Sequence, residues 1–191
     1  MDYKGDAYYI KEVLNGNTNA FTFIVNRHKN NVFNLAVKIC GNREEGEEIA
    51  QDTFLKVFRS LSDFRNKSSF ATWLYRIVYN TSISYLRARK REVLSLEDFP
   101  ADANDFIGTG ESEETAEREY REALVNFALQ KLNESDRAVI TLFYYEEMDL
   151  AGISEITGIS KDNVKIRLFR ARKKMLEDIE KSKNKKVIHH G

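Results

Sequence analysis

The segment around residues 161–173 sets side chains that can grip a polyanion on one helical face. Asp162, Lys165, Ile166, Phe169, Arg170 and Lys173 share that face by spacing. Ile166 and Phe169 are apolar where a purely solvated face needs no apolar residue. On DNA they could meet thymine methyls, while Lys165 and Arg170 could reach base edges or phosphates. A second candidate lies between Phe70 and Arg91, where Thr72, Arg76, Tyr79, Asn80, Ile83 and Arg87 share a face with Trp73 at its margin. Cations, an amide and rings together suit single-stranded or partly unwound nucleic acid, where each base stacked on a ring contributes ~1–3 kcal/mol. The preceding loop offers Phe64, Arg65, Asn66 and Lys67, a set that could pocket an extruded base. A third cluster, Glu44, Glu45, Glu47, Glu48 and Asp52, crowds one helix start. Some of these acids complement the helix dipole; the surplus suits docking of a basic protein. Blander alternatives stand beside each reading: solvated helix faces, a structural αα-hairpin, and Trp73 and Phe64 as ordinary core residues.

Enzymatic chemistry finds no foothold in the sequence. There is no Gly-x-x-x-x-Gly-Lys loop, no zinc-spaced His or Cys cluster and no His-x-x-x-His pair. The expectation is a binding protein without catalytic residues, metal or cofactor. His28, in a polar stretch, reads as a surface residue. Cys40 is the single cysteine, which excludes an internal disulfide and a Cys-based zinc site and fits a reducing compartment. Residues 1–6 lack a signal-peptide core, and no apolar run approaches the ~18–20 residues that span a membrane. The chain reads as soluble and cytoplasmic.

The 191 residues carry 30 Lys+Arg and 30 Asp+Glu, yet the balance is not local. Residues 60–91 hold seven cations against Asp63 alone, residues 92–124 hold eleven acids against two cations, and residues 161–186 hold eleven cations against four acids. Two basic elements flank one acidic segment, which is the electrostatic footprint of a polyanion partner.

Helices must position these groups. Only one proline, Pro100, and nine glycines punctuate the chain, too few for a sandwich or barrel of tight turns. Asp6 is expected to cap a short helix ending near Gly16, and Asn19 the next, which closes at Gly41. Asn42 and Glu45 resemble a capping box. A long helix is expected from about Phe70 to Arg91, with Phe70, Leu74, Ile77, Val78, Thr81 and Tyr85 facing the core. After the acidic stretch, Leu124, Phe127, Ala128 and Leu132 form one stripe. Ser135 is expected to cap a helix carrying Val139, Ile140 and Phe143. Asp149 should cap a short helix, Gly158 and Ile159 turn the chain, and Ser160 should cap a last helix to about Lys181. Val164, Leu168, Ala171 and Met175 would pack it on Ile153 and Ile156, giving a helix-turn-helix pattern.

These residues resemble a known family. Residues 43–57, 70–80 and the trailing Arg87-Ala88-Arg89-Lys90-Arg91 look like region 2 of the extracytoplasmic-function sigma factors of bacterial RNA polymerase, and residues 156–172 resemble their region 4. Both blocks occur in the right order. The resemblance implies an all-α chain of two small helical domains, a region 2-like bundle and a region 4-like helix-turn-helix, joined by an acidic linker. The expected boundaries are 1–91, 92–111 for the linker, 112–182, and a basic tail 183–191. Region 2 would bind the clamp coiled coil of the largest polymerase subunit through Glu47, Glu48, Gln51 and Asp52. It would open and read the −10 element through Phe64, Arg65, Asn66, Lys67, Trp73, Arg76, Asn80 and Arg87. Region 4 would read the −35 element through Lys161, Asn163, Lys165, Ile166, Phe169, Arg170 and Lys173, and contact the flap of the second-largest subunit. An anti-sigma protein is a further implied partner. The chain departs from the pattern at Gly46, Asn133, Gly152 and Ser154, where the family usually has Ala, Pro, Glu and Ala. The terminal Val187-Ile188-His189-His190-Gly191 matches nothing assignable.

The two promoter elements lie about 70 Å apart along the duplex. A linker of ~25 residues reaches about 80 Å fully extended but only about 25–30 Å relaxed. It must therefore be stretched and ordered when both elements are held. Its acids suit a basic channel of the polymerase or, in the free protein, the chain's own basic helices. The rival within DNA binding is a symmetric helix-turn-helix repressor that binds its operator alone; a structural helical adaptor is the other alternative.

Overall fold

The computed structural model describes residues 4–95 and 113–188. Eight helices run in order among them: α1 Asp6–Leu14, α2 Phe21–Cys40, α3 Arg43–Arg59, α4 Phe70–Ser95, α5 Glu113–Gln130, α6 Glu134–Tyr144, α7 Leu150–Thr157 and α8 Lys161–Ile188. No strand occurs among the described residues. Residues 96–112, which hold most of the acidic linker expected over 92–111, and the last residues, 189–191, lie outside them.

In the first half α2 is the central helix, touching α1, α3 and α4. Its Ile24, Val32, Leu35, Ala36 and Ile39 are buried and meet Ile49 and Val57 of α3 and Leu74 and Val78 of α4 in one core. Gly41 ends α2 at φ 82°, the left-handed conformation that glycine adopts without strain. Asn42 then caps α3, its Oδ1 accepting from the Glu45 N–H at 3.0 Å. Gly46 has a packing reason. A Cβ there would stand 2.4 Å from Val37 Cγ2 and 3.0 Å from the Val37 backbone, so the missing methyl lets α3 close onto α2. In the second half α8 packs on α5, α6 and α7, with Val164, Leu168 and Ala171 buried against Ile153 and Ile156.

Several expectations are corrected. His28 is not a surface residue. It is 9% exposed, its Nε2 lies 3.1 Å from Asp6 Oδ2, and its ring meets Phe70. Asp6 does not cap α1; Gly5 holds that position without a side-chain bond, and Asp6 instead binds Arg27 and His28. Asn19 lies inside a 3-10 turn, Thr18–Ala20, that runs directly into α2 with Ala20 at its cap. The turn's own backbone bonds supply what a cap would. Ser135 also gives way, because Asn133 Oδ1 accepts from the Asp136 N–H at 2.9 Å. The helix expected to stop near Arg91 runs to Ser95, and the last helix runs to Ile188. No Gly or Pro interrupts either extension. Phe127, expected in a core stripe, is exposed under Lys131 Nζ, while Leu124, Ala128 and Leu132 are buried as expected.

The two halves share a seam. α2 packs on α6, and α4 packs on α7 and α6. Arg137 of α6 is buried. Its Nη1 donates to Ile39 O at the end of α2 at 3.0 Å, and its Nη2 donates to Gln130 O and Leu132 O in its own half. The Tyr75 hydroxyl of α4 donates to Glu146 Oε2 and accepts from Asn31 Nδ2 of α2 at 3.1 Å. Lys38 Nζ lies 3.8 Å from the Tyr145 ring centroid. Burial raises the Glu146 carboxyl above its ordinary range, against the lowering effect of the Tyr75 bond and of Lys38. Burial, reinforced by Glu146, also raises the Tyr75 phenol, which therefore stays protonated.

The sign of that shift sets a pH response. A carboxyl with a raised pKa binds its proton more tightly in the closed seam than in the open chain. Closure therefore strengthens as pH falls from neutral through the raised Glu146 pKa, and weakens as pH rises. Small-angle scattering of the free protein should show a smaller radius of gyration near pH 5 than at pH 7.5. Glu146→Gln should flatten the difference.

Candidate nucleic-acid interface

The turn before α8 is built from four side-chain and backbone devices. Asp149 Oδ1 accepts from the Gly152 N–H at 2.7 Å and starts α7. Gly158 ends it at φ 75°. The Ser154 hydroxyl donates to Ile159 O at 2.6 Å and clamps the turn, a bond that an alanine could not make. Ser160 stands at the start of α8 with its Oγ 3.4 Å from the Asn163 N–H. The turn thus fixes which face of α8 looks inward. Val164, Leu168 and Ala171 are buried behind it.

The opposite face is open. Lys161, Asn163, Lys165, Arg170 and Lys173 are exposed, and so are Ile166 at 46% and Phe169 at 69%. Such rings and branched side chains in water cost solvation free energy that a core position would recover. One residue on this helix was not anticipated. Arg167 Nη1 donates to Asp136 Oδ1 of α6 at 2.8 Å, and the two help line a groove with Asn163, Ile166 and Arg170. The Asn133 cap holds Asp136 through a second bond, Nδ2 to Oδ2 at 2.7 Å. Sequence spacing gives no sign of this link, since the partners lie on different helices.

In the first half, the loop before α4 carries Arg65, Asn66 and Lys67 exposed. Asn66 sits at φ 53°, a left-handed conformation that Asn tolerates better than most residues. Phe64 is half-buried and packs against Phe70 and Trp73, each at a ring separation of 5.4 Å. Trp73 is half-buried as well, so both rings belong partly to the core and partly to the surface. From Trp73 the exposed stripe continues along α4 through Arg76, Asn80 and Arg87, with Tyr79 and Ile83 half-buried beside it. Thr72, expected on this stripe, is buried. Its N–H donates to Ser69 Oγ at 3.1 Å, and the two hydroxyls lie 2.8 Å apart, closing the start of α4. Loop and helix face are therefore joined into one surface through Phe64 and Trp73.

On α3, Glu47, Glu48, Gln51 and Asp52 are exposed. Asp52 pairs with Lys56 at 2.9 Å, and Glu48 Oε2 accepts from the Tyr85 hydroxyl of α4 at 3.1 Å. Glu45 turns away from the cap and binds Arg89 through both oxygens. Glu48 and Asp52 line one wall of a groove between α3 and α4. No cluster of His, Cys, Asp and Glu able to hold a metal occurs among the described residues. No described helix is long and apolar enough to cross a membrane.

Residues 24–92 match the family described as Sigma-70 region 2, and residues 122–175 match Sigma-70, region 4. Among curated relatives, the chain is 33% identical over 173 residues to the RNA polymerase sigma-H factor of Pseudomonas aeruginosa, covering 87% of this chain and 90% of that protein. It is 32% identical over 180 residues to the ECF RNA polymerase sigma factor SigW of Bacillus subtilis, covering 89% and 96%. Among solved structures, CnrH in complex with the cytosolic domain of CnrY aligns at a TM-score of 0.65 and 25% identity over 92% of this chain and 97% of that one. The sigma factor RpoE in complex with the anti-sigma factor NepR from Bartonella quintana aligns at 0.68 and 22% identity over 84% and 96%, a likeness of fold.

Proposed function

This chain belongs to the extracytoplasmic-function sigma factors, which direct promoter-specific transcription initiation, and from that premise we propose how its surfaces divide the work. The α8 face reads the −35 element in the major groove. Lys165 and Arg170 take base edges or phosphates, Ile166 and Phe169 meet thymine methyls, and Lys161, Asn163 and Lys173 flank them. The Phe64–Lys67 loop and the α4 stripe of Trp73, Arg76, Asn80 and Arg87 open and read the −10 element, with a base leaving the stack to lie against the rings. Glu47, Glu48, Gln51 and Asp52 dock on the basic clamp coiled coil of the largest polymerase subunit. The second half also meets the flap of the second-largest subunit. The domain boundaries are those expected from the sequence, with the acidic linker between them.

The observation that carries this reading is the pairing on α8 of a fully packed back with an open front that is both cationic and apolar. Solvated helices carry charge without exposed rings; a major-groove reader needs both.

The seam adds a condition. α7 lies between α4 and α8, and each packed pair stands about 8–10 Å apart axis to axis. The two reading faces are therefore far closer than the promoter elements they serve. The halves must part on the promoter, and the closed form is the resting state of the free protein. An anti-sigma protein is a fitting further partner, one that would hold the closed form; the CnrH and RpoE structures, both of complexes, motivate this.

Footprinting tests the reading. Purified protein with core bacterial RNA polymerase should protect two separated elements of promoter DNA, and neither component alone should do so. Strong palindromic protection by the protein alone would instead establish the dimeric repressor.

A further inference from the structure

We propose that His28, held by Asp6, is a positioning residue for the aromatic wall that receives the extruded base of the −10 element. The proposal rests on the reading of the Phe64 loop given above. His28 lies on α2, away from every surface residue assigned to DNA, and it is buried. A buried imidazole on a helix whose inward neighbours are aliphatic needs a reason.

The contacts supply one. Asp6, the first residue of α1, meets His28 Nε2 through Oδ2 and Arg27 Nη1 through Oδ1. Arg27 Nη2 donates to Lys4 O at 2.7 Å and its guanidinium lies over the Tyr9 ring, so the start of α1 is fastened to α2 from two sides. The His28 ring then stands edge-to-face against Phe70, with centroids 5.5 Å apart and planes at 61°. Phe70, itself buried, meets Phe64 at 5.4 Å and Trp73 at 5.7 Å. An unbroken line of contacts thus runs from Asp6 through His28 and Phe70 to the two half-exposed rings.

A wall that stacks a base must hold its rings to within about 0.5 Å of the productive position, and it does so only where packing behind the rings fixes their rotamers. Phe64 follows the 3-10 turn Leu61–Asp63 and its N–H donates to Leu61 O at 3.2 Å, which holds the backbone and leaves the ring to be set by its packing. Phe70 fixes it from behind, and His28 fixes Phe70. Truncating His28 leaves space behind Phe70, and Phe70 and Phe64 relax into it. The base then loses stacking, while the α8 face and the α3 carboxylates keep their geometry.

The test uses the full chain bound to core polymerase on a promoter carrying 2-aminopurine in the −10 element, with fluorescence reporting opening. His28→Ala should lower the opened fraction about tenfold, the loss of one base stack, with core affinity and −35 protection within about twofold of wild type. His28→Phe, which keeps a ring against Phe70, should recover most of the opening. Phe64→Ala serves as the reference. If Phe64→Ala lowers opening and His28→Ala does not, the positioning role is wrong and the −10 reading stands. If Phe64→Ala itself changes nothing, the −10 reading fails and takes this inference with it. Equal loss of opening, core affinity and −35 protection in His28→Ala marks a residue that only holds the fold, and overturns the proposal.

Discussion

Cross-linking the two halves at their seam should lower transcription from a promoter with both elements by about 100-fold or more. Asn31 and Glu146 both bond the Tyr75 hydroxyl, from α2 on one side and from the chain between α6 and α7 on the other. Cysteines at those two positions, joined by a short bis-methanethiosulfonate reagent on which each thiolate displaces a sulfinate to form a reducible disulfide, would hold the seam shut. Cys40 is buried, and burial raises its thiol pKa, so it contributes little thiolate to compete. The size of the effect follows from bivalency. A tethered second contact raises overall affinity by about 10²–10⁴, and the gain disappears when geometry forbids both contacts at once. Reducing the cross-link should restore activity. Undiminished transcription by the locked protein would show that the seam persists on the promoter and that the two faces do not read separate elements.

The second large effect is expected on α8. Lys165→Glu together with Arg170→Glu should weaken −35 protection by the holoenzyme by about 100-fold at fixed salt, since each specific contact contributes about 1–3 kcal/mol and the new carboxylates repel phosphate. Core affinity should stay as it is. Arg118→Ala on α5, which removes an exposed pair with Glu122, is the control and should leave protection unchanged. Phe169→Ala should act differently from the charge reversal. It should relax the preference for thymine at one position without changing how steeply binding falls with salt, because it touches no phosphate. Protection that survives the double reversal would remove α8 from the −35 reading.

Much of this surface was legible in the sequence because helical period alone decides it. Val164, Leu168 and Ala171 had to share a face, so Lys165, Phe169 and Arg170 had to share the other. Gly41 and Gly158 marked helix ends by their freedom at positive φ. What could not be read were choices between equivalent local partners. Asp6 and Asn19 are good capping residues by type, yet one is engaged by Arg27 and His28, and the other sits inside a 3-10 turn. Asn133 and Ser135 could each cap α6, and two residues decide which does. Burial of polar groups was the other blind spot. His28 reads as a surface residue in its sequence window, and nothing in the sequence singles out Tyr75 or Arg137. All three are buried because partners 22, 71 and 98 residues away complete them. Thr72 was misplaced for the mirror reason: a contact three residues away, with Ser69, outranked the helical wheel.

Arg137 has a consequence for how the molecule cycles. Two of its three carbonyl acceptors, Gln130 O and Leu132 O, travel with it, and only Ile39 O stays behind when the halves separate. One amide oxygen and one guanidinium hydrogen then turn to water, which satisfies both. The side chain keeps its rotamer, anchored by the bonds it retains. If the halves part on the promoter as proposed, the second half would return to the first with the fastener already cocked and would shut again without rebuilding either half.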